Sequence, residues 1–321
     1  MISIQSFRVA VFAVLAGAST FVGTAQAAAP ISNLVAPGFY RVMVGDFEVT
    51  ALSDGTAAFP MDMLLTNITP DQFQKAMAKA HLKNPIETSV NAYLVNTGTK
   101  LVLIDTGAAK LFGPTLGRLQ ASLQASGYTA EQVDEVYITH MHGDHVGGLM
   151  IGDKMAFPNA IVRADKHDAD FWLSEENMNK APADGKDGFK GAMFSLNPYV
   201  KAGKFKSFEG NTDLLPGVKA LASHGHTPGH TAYLIESKGE RMEFWGDLMH
   251  VAAVQFEDPS VTIQFDSDSK AAAEQRKLAY TDAAKKGYLV GVAHISFPGI
   301  GRVRAAGKGY VWLPINYSPV K

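Results

Sequence analysis

The 321-residue chain contains no cysteine. This absence excludes disulfide bonds, cysteine nucleophiles and thiolate metal ligands. Any metal ion that the protein binds must therefore be held by histidines and carboxylates.

The chain also has little net charge, −2 at pH 7, and no run of five or six like charges. Nucleic-acid-binding domains carry a basic patch or stripe, and the nearest feature here is the group Arg302, Arg304 and Lys308, which we predict to be a solvated loop. We therefore expect no nucleic-acid partner. The 46% hydrophobic and 19% charged residues are typical of a globular protein with a sizeable core.

The longest apolar run lies at the N-terminus, from Val9 to Ala18, after Arg8 and before Ala25-Gln26-Ala27. A basic residue, a short apolar stretch and a small-residue site are typical of a secretory signal peptide, whereas a membrane span needs about 20 apolar residues. We predict a signal peptide over residues 1–27 and a mature domain over residues 28–321. The mature protein would be exported, periplasmic or secreted, without stable membrane insertion.

The pattern of apolar runs and turn residues predicts helices and strands in both halves of the chain. A loop or lid is predicted over Ser174–Lys190, which is rich in Asn, Asp, Gly and Lys. These elements indicate an α/β fold in which two sheets pack together between outer helices, a four-layer αββα sandwich in a single domain. The predicted strands are 41–44, 47–52, 90–96, 101–104, 136–139, 160–163, 205–208, 232–235, 241–245 and 289–293, and the predicted helices are 69–83, 115–126 and 270–286.

Residues 139–148 read T-H-M-H-G-D-H-V-G-G and follow a predicted buried strand. The segment places His140, His142, Asp144 and His145 within six positions. Neutral imidazoles and ionised carboxylates suit a divalent cation such as zinc, and a cluster of like groups without a cation would repel on protonation. The segment therefore predicts a metal site at the end of this strand.

Three later fragments also bring a possible ligand to a strand end. They are Gly225-His226-Thr227-Pro228-Gly229-His230, Trp245-Gly246-Asp247 and Ala293-His294. The glycines allow sharp turns that direct a side chain into a shared cleft.

With these fragments in order, the sequence resembles the metallo-β-lactamase superfamily, whose signature is H-x-H-x-D-H followed by His, Asp and His. The resemblance implies a metallo-β-lactamase-like sandwich with two divalent metal ions, most simply Zn²⁺. It assigns His140, His142 and His230 to one ion, assigns Asp144, His145 and His294 to the other, and makes Asp247 the bridge.

Other histidines are assigned outside this ligand set. The spacing of His224 and His226 does not match the ligand position, so we expect them to support the site or the fold. His81 and His167 are expected on helix surfaces. Asp105, in Leu103-Ile104-Asp105-Thr106-Gly107, matches an aspartate that supports the metal loop in the superfamily.

Two close divalent ions lower the pKa of a shared water, so the expected reaction is hydrolysis of an ester-like bond by a metal-bridging hydroxide. Asp144 and Asp247 are the expected catalytic carboxylates; both would position the hydroxide, and one of them would pass its proton to the leaving group.

Within the superfamily, residues 87–107, 245–265 and 296–308 look closest to the methyl parathion hydrolase group and its lactone-hydrolysing relatives. This resemblance implies an exported homodimer with pocket aromatics at Phe112, Trp172 and Phe189. Bulky residues at four further pocket positions favour a flat substrate over a tetrahedral phosphotriester; these positions are Leu65, His250, Ile263 and Phe265. We therefore expect a lactonase or arylesterase of the dihydrocoumarin type with side phosphotriesterase activity.

Alternative functions remain open at this stage. The main activity could be organophosphate triester hydrolysis. A β-lactamase is disfavoured because its zinc forms use cysteine or lack the bridging aspartate, and a glyoxalase-like thioesterase lacks identifiable basic residues for glutathione. From other classes, a mononuclear iron persulfide dioxygenase and a non-catalytic metal-binding protein are possible.

Overall fold

The computed structural model describes residues 29, 31–32 and 36–318, and residues 37–318 belong to one compact unit. The predicted signal peptide over residues 1–27 lies outside the described residues. The strands are β1 (Phe39–Val44), β2 (Phe47–Phe59), β3 (Leu65–Thr66), β4 (Ile86–Asn96), β5 (Leu101–Ile104), β6 (Glu135–Tyr137), β7 (Met150–Ile151), β8 (Lys154–Met155), β9 (Ile161–Asp165), β10 (Phe205–Phe208), β11 (Thr212–Leu215), β12 (Val218–Ala222), β13 (Thr231–Ser237), β14 (Glu240–Phe244), β15 (Thr262–Ile263), β16 (Leu289–Gly291), β17 (Ile300–Ala306) and β18 (Gly309–Pro314).

The helices connect these strands and cover the sheets. They are α1 (Met61–Leu64), α2 (Pro70–Ala80), α3 (Leu119–Ala125), α4 (Gly143–Val146), α5 (Lys166–Trp172), α6 (Glu175–Lys180), α7 (Lys186–Lys201), α8 (Ala252–Gln255) and α9 (Ser269–Lys286), with short 3₁₀ turns at Ala130–Gln132, Gly147–Leu149 and Gly246–Leu248. Among the described residues, no helix has the length and apolarity to cross a membrane.

The first sheet has the strand order β1-β2-β4-β5-β6-β9-β10. Its first part is antiparallel, and β5, β6, β9 and β10 run parallel to one another. Because parallel strands end at the same edge, the segments that follow β5 and β6 leave the sheet side by side. Asp105 and the histidine segment 139–148 are thereby brought together.

The second sheet has the order β11-β12-β13-β14-β16-β17-β18. Strand β14 runs parallel to β16, so Asp247 and His294 follow neighbouring strands at the same edge. Strand β13 is antiparallel to β14, and its beginning therefore lies at that edge as well. The loop over residues 223–230, which precedes β13, reaches the same place.

Three buried clusters define the layers. One cluster joins the two sheets through Val102 and Ile104 on one side and Tyr233 and Phe244 on the other. A second packs the outer face of the first sheet against α3 and α7, and a third packs β16 against α9. Each fully buried large apolar side chain in them contributes about 1.5 to 3 kcal/mol. The predicted four-layer αββα sandwich is confirmed.

Several local predictions were wrong. The predicted loop over Ser174–Lys190 contains α6, which Ser174 caps by accepting the Asn177 N–H, and the start of α7. Helix α3 begins four residues later than predicted, because the Asp54 carboxylate accepts the N–H groups of Gly117 and Leu119. The basic group near residue 302 lies on β17 and the turn after it instead of in a loop, with exposed side chains.

Candidate metal centre

The histidine segment turns sharply after β6 and enters the short helix α4. His140 and His145 are fully buried, and Asp144 is only partly exposed. Gly148 allows the turn, because a Cβ atom there would lie 1.9 Å from the carbonyl oxygen of Thr106. The segment is therefore pressed against the loop that follows β5.

Asp105 in that loop holds the histidine segment in place. Its backbone has a left-handed φ of 59°, a conformation that Asp and Asn adopt more readily than most residues. Oδ1 accepts the Thr139 N–H at 2.8 Å, and Oδ2 accepts the Thr139 hydroxyl at 2.8 Å. Oδ2 also lies 2.8 Å from His145 Nδ1. Because a carboxylate only accepts, the proton of His145 is assigned to Nδ1, which leaves Nε2 free to bind a cation.

Asp247 lies at the middle of the arrangement. Its Oδ1 is 3.1 Å from Nε2 of His145 and 3.1 Å from Nε2 of His294. Its Oδ2 is 3.3 Å from Nε2 of His226 and 3.6 Å from Nε2 of His140. His294 Nε2 also lies 3.2 Å from Oδ2, so Asp247 contacts imidazoles of both groups.

The side chains form two adjoining groups with metal-ligand geometry. The first contains His140, His142, His226 and Asp247, and the second contains Asp144, His145 and His294; within each group the ligand atoms lie within 4.8 Å of one another. His250 forms a third, overlapping group with Asp247 and His294. These groups contain the ligands expected from the sequence except His230, whose ring lies 5.3 Å from that of His140.

The geometry corrects the assignment of His230. Its Nδ1 donates to the Ser223 carbonyl at 3.1 Å, and its Nε2 accepts the Asp247 N–H at 3.0 Å. Both ring nitrogens are therefore used by the backbone, and burial lowers the pKa of this imidazole to about 3. In this conformation His230 has no nitrogen free for a cation.

His226 takes the position expected for His230. Its Nε2 lies 3.1 Å from Nδ1 of His142, and its Nδ1 lies 2.8 Å from Oδ1 of Asp266. Gly225 allows this orientation because the loop packs directly on α9, where a Cβ atom at Gly225 would lie 2.3 Å from the Ala272 nitrogen. The spacing argument from the sequence had set His226 aside, and Asp266, which orients it, lies 40 positions further along the chain.

The residues present fit two divalent cations. Nε2 of His140, Nε2 of His145 and Oδ1 of Asp247 are buried without a hydrogen-bond partner within the part of the chain that the structure describes. Burial, helped by neighbouring imidazoles, lowers the pKa of His140 and of His142, so both rings are neutral. Burial alone would raise the pKa of Asp247, but His145 and His294 hold it well below its usual value. Neutral imidazoles and ionised carboxylates are the ligand forms that zinc takes.

Asp168 was not expected from the sequence and connects the two loops that carry His140 and His226. It is fully buried, and its carboxylate accepts the Met141 N–H at 2.8 Å and the Gly229 N–H at 2.6 Å. Burial raises the pKa of this carboxyl to about 6. No sequence pattern marks Asp168, because both of its backbone partners are distant in the chain.

Aromatic side chains lie beside the first group. The Trp172 ring contacts the His142 ring edge-on at 5.2 Å, and the Phe189 ring lies 4.8 Å from Trp172. Phe112 is 44% exposed and close to Gly143, since a Cβ atom there would lie 2.8 Å from the Phe112 ring. The three expected pocket aromatics are therefore near the centre, and Phe112 is the exposed one.

The other expected pocket positions divide into two kinds. Nε2 of His250 lies 3.1 Å from Asp247 Oδ2, and the ring of Phe265, which is 41% exposed, lies 6.4 Å from the His250 ring. Leu65 and Ile263 instead pair with each other in the β3–β15 ribbon and are buried in a separate apolar cluster. They support the adjoining loop and present almost no surface to a ligand.

A cavity of about 660 Å³ adjoins the end of the histidine segment, lined by Gly147, Gly148, Leu111 and Phe194 among others. None of the histidines described above lines it. We place the reaction at the metal groups because they combine the buried unpaired ligand atoms of His140, His145 and Asp247 with neighbouring titratable side chains.

Comparison with known proteins identifies the family. Residues 85–287 match the family model described as the metallo-beta-lactamase superfamily. The chain is 36% identical to the crystal structure of hydrolase AbOPH in the beta-lactamase superfamily, with a TM-score of 0.85 over 89% of this chain and 100% of that one. It is 26% identical to AidC, described as a dizinc quorum-quenching lactonase, with a TM-score of 0.81 over 88% of this chain and 99% of that one.

Curated relatives agree with this result. An N-acyl homoserine lactonase of a Bacillus species is 28% identical over 172 residues, which is 48% of this chain and 60% of that protein, less than two thirds of its length. The N-acyl homoserine lactonase of Bacillus cereus is 26% identical over 204 residues, 58% of this chain and 73% of that protein. The chain therefore belongs to the metallo-β-lactamase superfamily.

Proposed function

We propose that this protein is a metal-dependent hydrolase that opens lactones, using two divalent cations, with Zn²⁺ as the preferred ion. One observation carries the proposal: the carboxylate of Asp247 lies between the two ligand groups, within 3.3 Å of His145, His226 and His294. The lactonase relatives and the acid–imidazole ligand set support it.

The ligand sets follow from the corrected geometry. His140, His142 and His226 would hold one cation, Asp144, His145 and His294 would hold the other, and Asp247 would contact both. Two bound cations would supply an acidified water molecule as nucleophile and polarise the ester carbonyl. Asp105 and Asp266 each hold the Nδ1 of one ligand histidine, which fixes its ring orientation.

The carboxylates differ in their access to a substrate. The Asp247 side chain is 4% exposed and that of Asp144 is 17% exposed. Asp144 is therefore the better placed of the two to receive the proton of the attacking water and deliver it to the leaving oxygen. Asp247 would mainly fix the relative position of the two ligand groups.

Flat surfaces near the centre favour a planar substrate. Phe112 and Phe265 are the exposed aromatics of this region and supply the ring faces for an aromatic group, while Trp172 and Phe189 are buried and pack beside His142. We therefore propose aryl lactones and aryl esters of the dihydrocoumarin type as good substrates, with phosphotriester hydrolysis as a weaker side activity. N-acyl homoserine lactones belong to the same chemical class and are the substrates named for the Bacillus relatives.

The test is a substrate panel on the zinc-loaded protein and on protein stripped by a chelator. Dihydrocoumarin, an N-acyl homoserine lactone and methyl paraoxon would be compared by kcat/KM, with metal content measured on the same samples. We expect lactone hydrolysis that disappears on chelation and returns with zinc. Unchanged activity in metal-free protein would refute the metal mechanism, and a dominant rate on methyl paraoxon would reverse the substrate order.

Export and assembly are separate proposals that depend on the sequence. We propose that cleavage after Ala27 yields an exported protein and that this protein forms a homodimer. Sequencing the mature N-terminus and measuring the mass by light scattering test the two statements. Retention of the first residues would contradict export through this signal, and a monomer mass would contradict the dimer.

A further inference from the structure

A second set of ligand-type side chains lies apart from the ligands assigned above. This outer cluster consists of Asp165 at the end of β9, His167 in the first turn of α5, and His224 in the loop between β12 and β13. One ligand atom from each residue lies within 4.8 Å of the other two. The sequence predicted a surface role for His167 and a supporting role for His224, so neither histidine was expected to be close to Asp165.

Asp165 is the centre of the outer cluster. Its side chain is fully buried, with Oδ1 at 2.8 Å from Nδ1 of His167 and Oδ2 at 3.6 Å from Nε2 of His224. The two imidazole rings lie 5.0 Å apart. Two imidazoles therefore converge on one buried carboxylate from different parts of the chain.

The hydrogen bonds of Asp165 explain only part of this arrangement. Oδ1 accepts the His167 N–H at the start of α5, and Oδ2 accepts the Gly210 N–H at 3.0 Å. A helix cap requires a carboxylate but no second imidazole. In residues 36–318, Nε2 of His224 is buried without a hydrogen-bond partner, and it points toward Asp165.

The donor set of the outer cluster has the chemistry of a transition-metal site. Each carboxylate oxygen has two lone pairs, so Oδ2 retains acceptor capacity after its backbone hydrogen bond, and Oδ1 would regain it when a cation displaced the Nδ1 proton of His167. Two imidazoles and one carboxylate suit zinc, nickel or copper, and not calcium or magnesium, which prefer oxygen ligands. The side chains of His167 and His224 are 49% and 34% exposed, so water can complete the coordination shell.

We propose that Asp165, His167 and His224 form a third metal site, which binds one Zn²⁺ or a similar transition-metal ion at the surface. The site is separate from the two ligand groups of the proposed centre and does not depend on their chemistry. It would be the weaker site, because it offers three protein ligands and remains open to solvent.

A cation at the outer cluster would also act on the loop that carries His226. The loop packs against the start of α5, since a Cβ atom at Gly229 would lie 2.5 Å from the Asp168 nitrogen and 3.0 Å from Asp165 Oδ1. An ion that joins His224 to Asp165 and His167 would cross-link the loop to β9 and α5. Occupancy of the outer site would therefore stabilise the folded protein.

The experiment measures bound zinc by equilibrium dialysis over a range of free Zn²⁺ concentrations. The proteins are the wild type, H167N, H224N and the control H81N, which replaces an exposed histidine at the end of α2 that can tolerate asparagine in its left-handed conformation. At saturation, H167N and H224N should bind one zinc ion per chain fewer than wild type, and H81N should match wild type. H167N decides the result, because His224 is close to His226 in sequence.

A second measurement is the thermal midpoint of unfolding. With the stronger sites filled, further Zn²⁺ should raise the midpoint of wild type and H81N and leave that of H167N unchanged. Equal zinc binding by wild type and H167N at every free zinc concentration would overturn the proposal. If none of the proteins hydrolyses lactones but H167N still binds one zinc ion per chain fewer than wild type, the proposed function is contradicted and the outer site is supported.

Discussion

Asp105→Asn tests whether the carboxylate behind His145 controls metal binding. The substitution keeps the volume and the left-handed backbone, because asparagine adopts a φ near 59° as readily as aspartate does. The carbonyl oxygen of the introduced asparagine can still accept the Thr139 N–H, and the Thr139 hydroxyl can rotate to accept from the introduced amide. Only the bond to His145 Nδ1 has no replacement, because two donors would then face each other.

The magnitude follows from that single lost interaction. A hydrogen bond to a charged group contributes about 1.5 to 3 kcal/mol, so the free energy of unfolding of the metal-free protein should fall by at most about that amount. To relieve the clash, His145 must move its proton to Nε2, the nitrogen that faces Asp144 and Asp247. That nitrogen then no longer binds a cation, and metal affinity should fall by about 10-fold to 100-fold.

The assay is zinc affinity by chelator competition, combined with urea unfolding of the metal-free protein. Asp46→Asn is the matched control, because the Asp46 side chain is 70% exposed and pairs loosely with Lys238. The control should leave both quantities unchanged. The smallest expected change in zinc affinity, tenfold, corresponds to about 1.4 kcal/mol. A zinc affinity of D105N within about twofold of wild type would therefore refute the reasoning.

Three further changes address the ligand assignment, the pocket and the backbone. His226→Asn should remove one zinc ion per chain from the centre, measured by elemental analysis. If His226→Asn kept both ions and His230→Asn lost one, the assignment made from the sequence would be restored. Phe265→Ala should raise KM for dihydrocoumarin several-fold and leave the urea midpoint nearly unchanged, because the ring is 41% exposed; an unchanged KM would exclude Phe265 from the pocket. Gly246→Ala should destabilise the protein more than Gly152→Ala in urea unfolding. The φ angle is similar at the two sites, 53° and 57°, but of these two sites only Gly246 has a neighbour that a Cβ atom would meet, His230 Nε2 at 2.8 Å. Equal losses of unfolding free energy would show that this contact has no cost.

The central fold was predictable because its signals are local. Apolar runs such as Leu101–Ile104 form strands where they were predicted, and β1 and the first half of β2 form the predicted hairpin. Strands β11, β12, β17 and β18 were missed because their exposed positions, such as Asp213 and Arg302, weaken the apolar signal of edge-region strands. The Ser174–Lys190 region has loop-like composition, and its helices depend on a cap and on packing against the core.

The sequence by itself determined the chemistry of the centre. His140, His142, Asp144 and His145 lie within six positions, so a single turn after a buried strand is enough to bring them together. Asp247 and His294 could be added because each directly follows a strand, and strand ends of a sheet meet at one edge. These inferences need only short-range geometry.

Only the tertiary structure decided which imidazole of the 225–230 loop faces the centre. Both histidines of that loop have the same chemistry, and the choice is made by distant partners: Asp266 and α9 orient His226 inward, while the Ser223 carbonyl and the Asp247 N–H occupy His230. The same holds for the outer cluster, where β9 and the β12–β13 loop bring Asp165 and His224 together across 59 positions of the chain. Long-range packing sets these contacts, so the local pattern of residues along the sequence does not predict them.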